Sequence, residues 1–323
     1  MEHVRWLTEP KLRRPTVIAA FTGWNDAGDA ASSALRHLIE CWGAQPLAEI
    51  DPEEFTDFAT VRPHVKLADG HTRTIVWPTV GVWSAATPGG DVILVLGPEP
   101  ALRWRLFVEQ LLGIARHHGA GMVLTLGALL ADVAHTGPVQ VIGTATDGEL
   151  MSRFDLQRSR YEGPTGIVGV LQDACHRCDL DSASLWAAVP AYASQMPSPK
   201  ATLALVTRAC GIIGTPTPVG RLQDEASEYE QRVGAIVSDD DDLLGYVTRL
   251  ETMSLADDDD HDDEQNDELD DELDDDELDD DELDDDEVGG ELTGAIESLD
   301  PAALNSDELM AEVEQFLRNQ PDA

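Results

Sequence analysis

The stretch GMVLTLGALLADVAHTGPVQVIGTATD, residues 121–147, decides how this chain is read. Two short apolar runs, Met122 to Leu126 and Val139 to Thr144, are bounded by glycines, are too short for ordinary helices and lack the polar alternation of a half-wet strand. They predict strands buried on both faces, the central pair of a sheet. The loop between them carries Asp132 and His135, its only titratable side chains. Any chemistry presented at a central strand end would come from that loop.

Working outward, Thr16 to Phe21 is a β-rich run ending near Gly23, and Ala31, Ala34, Leu35, Leu38, Ile39 and Trp42 recur after it at helical spacing. The loop from Gly23 to Asp29 holds no Lys and two acids, which argues against an anion site and gives Asn25, Asp26 and Asp29 to helix capping. Val92 to Leu96 predicts a buried strand ending at Gly97-Pro98-Glu99-Pro100. Trp104, Phe107, Val108, Leu111, Leu112 and Ala115 then trace one helix face, closed by Gly119.

Further on, Tyr161 to Gly166 opens a helix with Pro164 in an early turn and Ile167, Val170, Leu171, Ala174 and Cys178 on one face. Ser184 to Val189 predicts a strand, and Ser198-Pro199 starts a helix with Leu203, Val206, Cys210 and Ile213 inward. Leu222, Ala226, Tyr229, Val233 and Ile236 form a helix-packing seam, with Leu243 to Leu250 as a short partner. Between these units, Asp69-Gly70 separates two β-rich runs within Thr60 to Trp77, which predicts a type I′ hairpin at the sheet edge, where Pro63 is tolerated. Trp77 and Trp83 make that hairpin an exposed aromatic surface. Strands alternating with helices imply a three-layer α/β/α sandwich with a mostly parallel sheet, plus C-terminal helices.

Composition sets the outer bounds. At 323 residues, 42% hydrophobic and 26% charged, the chain can bury a large core. Of the formal charge of -42, about two dozen acids lie between Asp257 and Glu287. In that tract Leu273, Leu278, Leu283 and Val288 are five apart, so each turns about 140° from the last and no apolar face forms. The expected organisation is an α/β domain over 1–253 with a helical portion at about 218–252, a disordered acidic linker over 254–290, and a segment over 291–323 with an amphipathic helix at about 305–318. The charge excludes nucleic acid as a partner, and no apolar run approaches the roughly 20 residues of a membrane span. The expected setting is the cytoplasm, with Cys41, Cys175, Cys178 and Cys210 reduced inside helices. No metal-ligand spacing or cofactor motif is found, so none of either is expected.

Several motifs together carry a family resemblance. GWNDAGDAA at 23–31, DPEEF at 51–55, GPEP at 97–100, LGALLADV at 126–133, YEGPTG at 161–166, SLWAAVP at 184–190 and PSPKA at 197–201 closely resemble the actinobacterial PAC2 family, relatives of proteasome assembly chaperones. The resemblance covers roughly residues 1–252. It implies a fold similar to nucleoside phosphorylases, a homo-oligomer (trimer or dimer), and a proteasome-related protein partner.

If the central strands are parallel, their carboxyl ends gather Asn25, Asp26, Glu99, Arg103, Asp132, His135 and Tyr192 at one sheet edge, where open α/β folds bind ligands. Three functions fit: an interaction or chaperone-like protein, a small-molecule enzyme using that polar edge, or a structural oligomer with the edge filled by side chains. Sequence favours the first, because the edge loops hold Gly, Pro and capping residues and no nucleophile motif. In that reading Glu99 and Asp132 hold the loops together through backbone amides.

Overall fold

Buried on both faces, β2 (Thr16–Thr22) stands in the middle of an eight-stranded sheet. The computed structural model describes residues 1–68 and 70–263; most of the acidic tract and the amphipathic stretch at 305–318 lie outside them. Strand alternation sends Ile18 and Ala20 of β2 to one face and Val17, Ala19 and Phe21 to the other. β2 pairs in parallel with β7 (Gly90–Pro98) on one side and β8 (Met122–Ala131) on the other, and β8 pairs in parallel with β10 (Asp181–Pro190). Antiparallel strands flank this parallel group: β6 (Val80–Thr87), β3 (Gln45–Ile50) and β1 (Val4–Trp6) beyond β7, and β9 (Val141–Ala145) beyond β10. The order is β1-β3-β6-β7-β2-β8-β10-β9.

Helices cover both faces. α1 (Ala30–Cys41) and α5 (Pro199–Ile213) lay Leu35, Leu38, Leu205 and Val206 on Ile18, Leu94, Leu124 and Leu185. On the other face, α2 (Trp104–His117) and α4 (Ile167–His176) cover Val17, Phe21, Ile93 and Val95. Phe107 meets Phe21 and Phe55 edge-on at 5.9 and 5.3 Å between ring centroids. Each such fully buried side chain contributes about 1.5–3 kcal/mol over its exposed state. α6 (Leu222–Ser238) and α7 (Asp241–Asp263) share a third cluster of Ala193, Tyr229, Val233, Val237 and Val247. No helix among the described residues is long and apolar enough to cross a membrane.

Several expectations are corrected here. The run at Val139 to Thr144 is an edge strand antiparallel to β10, not a central neighbour of β8. Hydropathy reports burial, but β10, from far along the chain, takes the place between them. β4 (His64–Ala68) and β5 (Thr72–Val76) do form a hairpin, yet as a separate two-stranded sheet and not at the edge of the main one. Ala68 pairs with Thr72, leaving three residues in the turn where a type I′ turn has two, with Gly70 at φ +75°. Trp83 lies in β6, half-buried against the first core cluster, and is no part of the hairpin.

Pro164 precedes α4, whose N-cap is Gly166, and Cys178 lies past its end in an exposed turn. Cys41 is exposed as well, so only Cys175 and Cys210 are buried; all four thiols are free. In α6 the inward position falls to Val237, leaving Ile236 exposed. The short strands β1, β3 and β6 and the helix α3 (Gly148–Phe154) have no counterpart in the sequence reading. β3 contains Pro46 and a register shift beside it, which breaks the alternation that would have marked it.

Candidate functional site

The four parallel strands end on one side of the sheet, and a cleft of about 840 Å³ opens there. Its floor is Trp186 of β10. That indole crosses β8 only because its register partner is Gly127, where a Cβ would sit 2.6 Å from the ring. Beyond α4 no helix among the described residues covers this face, so Leu129 of β8 and Ile142 of β9 stay accessible beside Trp186. The rim is apolar and open: Trp24 is 64% exposed, Leu130 50% and Tyr161 65%. Behind the floor, Thr125 and Ser184 share a 2.6 Å hydrogen bond, and Ser184 donates to Gln172 of α4 at 3.2 Å.

Three of the seven candidate residues meet at the back of this cleft. One oxygen of Glu99, Oε1, accepts both the Asn25 side-chain amide and the Ile167 backbone N–H, each at 2.8 Å. Glu99 thereby satisfies the first amide of α4 and ties it to the loop after β2. The Asn25 carbonyl accepts the Ala128 N–H at 2.8 Å, extending β8 along that loop. Asp26 Oδ1 accepts Ala31 N–H and Ser32 N–H at 2.8 and 3.0 Å and so caps α1, as expected. Asp29 makes no capping bond and instead turns the chain at φ +50°. Burial raises the Asp26 carboxyl above its ordinary value, outweighing the capping bonds that lower it. Gly166 closes the group, since a Cβ there would lie 2.1 Å from Asn25 Oδ1.

The other candidates do not join them. Tyr192 accepts the His135 backbone N–H at 2.7 Å and lies 3.0 Å from His135 Nδ1, a second hydrogen bond whose direction is set by the imidazole tautomer. Burial pushes the Tyr192 hydroxyl up to about 12. The His135 pKa is lowered, by burial first and by the Lys200 charge second. Lys200 donates to the His135 and Thr136 carbonyls and pairs with Glu230, joining α5, the loop after β8 and α6. Asp132 is exposed and accepts the Tyr246 hydroxyl of α7 at 2.7 Å; it holds no backbone amide, contrary to expectation. Arg103 stands apart on the surface, paired with Glu54.

One predicted constellation is thus three arrangements: a loop tie at the cleft, a helix-docking patch and a surface ion pair. Sequence reasoning missed the apolar rim and Lys200. Lys200 sat in view within PSPKA; the rim residues carried no signal, because Leu129 and Leu130 have the same hydropathy as the buried leucines before them. No group of three or more His, Cys, Asp or Glu among the described residues is placed to hold a metal ion.

The model of the PAC2 family matches residues 20–237, which include the strands, loops and helices that build the cleft. The chain belongs to the PAC2 family. No curated protein matches it. Among solved structures, a PAC2 family protein from Streptomyces avermitilis is 44% identical, with 72% of this chain and 99% of that one covered at a TM-score of 0.67. A Mycobacterium tuberculosis protein described as a proteasome-assembly chaperone homologue is 43% identical over 72% and 99% of the two chains, TM-score 0.66. An archaeal proteasome activator from Pyrococcus furiosus shares the PAC2 fold at 17% identity, 72% and 97% coverage and TM-score 0.60.

Proposed function

We propose that this PAC2 protein is a cytoplasmic, homo-oligomeric, chaperone-like interaction protein linked to proteasome assembly, and that it docks protein through the apolar cleft. The observation that carries this reading is how the polar groups at the sheet edge are used. Asn25 Nδ2 donates to Glu99 Oε1, which also accepts the Ile167 N–H, and Asp26 Oδ1 caps α1. Each side chain thus holds a loop or a helix end, even though Asn25 Oδ1 and Asp26 Oδ2 are buried without a partner among the described residues. Trp24, Leu129, Leu130, Ile142 and Tyr161 stand exposed around the opening. An enzyme of this type needs a base or nucleophile pair facing its cavity, and the described residues lining this cleft include no His, Cys, Lys or Arg. Contiguous apolar surface with a polar surround marks protein docking. The proteasome link draws its support from the Mycobacterium tuberculosis relative.

Thermal melts of Glu99→Ala, with and without a panel of nucleosides and phosphate, test the docking reading. The substitution strands the Asn25 amide and the Ile167 N–H, so a loss of about 1–3 kcal/mol is expected, and no member of the panel should shift the wild-type midpoint. A wild-type shift that disappears in Glu99→Ala, with stability unchanged, would establish a small-molecule site instead. The link to the proteasome is tested separately, by co-elution of the full chain with the host's purified proteasome subunits at micromolar concentration. Independent elution removes the link.

A further inference from the structure

Among the described residues nothing covers the β4–β5 hairpin. It forms its own sheet, every residue of β5 is exposed, and Val65, Leu67 and Ile75 lie on one face, with Val65 directly opposite Ile75. Leu67 is 61% and Ile75 58% exposed. A two-stranded hairpin alone is marginal in water and gains its stability by burying one face. We infer that in the assembled protein this hairpin seats in the cleft of a second copy of the chain. The inference rests on reading the cleft as a protein-docking surface and names its occupant.

Position and charge both point to that occupant. The hairpin leads into β6 at Val80, beside Gly97 at the carboxyl end of β7, so it springs from the same side of the sheet as the cleft. Its own cleft lies across β7, β2 and β8 in the strand order and is left open. A hairpin and a cleft at one edge but displaced sideways pair head to tail, and such a contact closes a ring when the rotation from copy to copy divides a full turn. The charges complement each other too. Residues 61–77 carry Arg62, Lys66 and Arg73 against one acid, whereas the described residues lining the cleft include no cation and one exposed carboxylate, Asp29, beside Asp26, whose buried carboxyl caps α1. Apolar hairpin face meets apolar rim, and the hairpin cations meet Asp29.

The test uses the full chain and light scattering at micromolar concentration. The wild type should give a multiple of 35.0 kDa. Ile75→Glu on the hairpin and Leu130→Glu on the rim should each give the single-chain mass and still melt cooperatively as folded chains, because both side chains are exposed on the single chain. An equimolar mixture of the two should then give two chains and no more, since one intact hairpin can enter one intact cleft. Should Leu130→Glu not melt cooperatively, Ile142→Glu replaces it in the same scheme. A monomeric wild type, a variant that keeps the full assembly, or a mixture that stays monomeric each overturns the inference. The melts and co-elution above are independent of it: a monomer that still co-elutes with proteasome subunits leaves the docking function standing and removes only the hairpin as occupant.

Discussion

Glu99 and Gly166 show how little room the loop tie leaves at the scale of single residues. The backbone of Gly166 is extended, with φ -93°, so Ala is conformationally free there and any effect is steric. A methyl group would press on both Asn25 Oδ1 and Glu99 Oε1, at 2.1 and 2.8 Å. Gly166→Ala should therefore cost about 1–3 kcal/mol in chemical denaturation, the range for overpacking; a neutral result would mean the tie is slack.

Asp26 makes a different prediction, because its folded carboxyl binds its proton more tightly than the unfolded one does. Stability from this group is complete below the unfolded value of 3.8 and is lost as pH rises through the folded value. Asp26→Asn keeps an acceptor for Ala31 and Ser32 but has no proton to lose. At pH 7 it should melt at or above the wild type, whereas Asp26→Ala loses the cap and about 0.5–2 kcal/mol. A wild type that gains on Asp26→Asn as pH rises contradicts the assignment.

Among the elements, the docking of α6 and α7 onto the loop after β8 is a pH-sensitive contact. His135, facing Tyr192, Lys200, Glu230 and Glu251, has a folded pKa below its ordinary 6.5. Its contribution is complete above that value and declines as pH falls below it, by at most about 1.4 kcal/mol per pH unit for one proton. Denaturation at pH 7.5 and 5.5 should show the wild type losing more stability than His135→Gln between the two. Equal losses would place the acid sensitivity elsewhere. The thiols of Cys175 and Cys210 do not titrate in this range, both being pushed up by burial, to about 12 and 11, whereas His118, which packs edge-on against Trp6 of β1 and whose pKa burial also lowers, is a second acid-sensitive contact.

At the scale of the whole molecule, the three apolar clusters, as far as the described residues go, all close before residue 251. Deleting residues 264–323 should therefore leave the melting midpoint within about a degree of the full chain, the result expected when no core contact is removed. A loss of several degrees would show that the C-terminal sixty residues pack on the body.

Sequence by itself determined the layers. Runs such as Val92 to Leu96 and Ser184 to Val189, alternating with stripes such as Phe107, Leu111 and Ala115, set strand, helix and inward face, because burial periodicity is written locally along the chain. The cap at Asp26 and the family were legible for the same reason, as short patterns. Tertiary structure alone decided the strand order, in which β10 separates β8 from β9, since that pairing joins residues some forty positions apart. It also decided that Glu99 meets Asn25 and Ile167 while Asp132 and His135 turn away to α7 and Tyr192. Hydropathy gives Leu126 and Leu130 one value; among the described residues no helix covers the end of β8, and the second stands in solvent on the rim of the cleft.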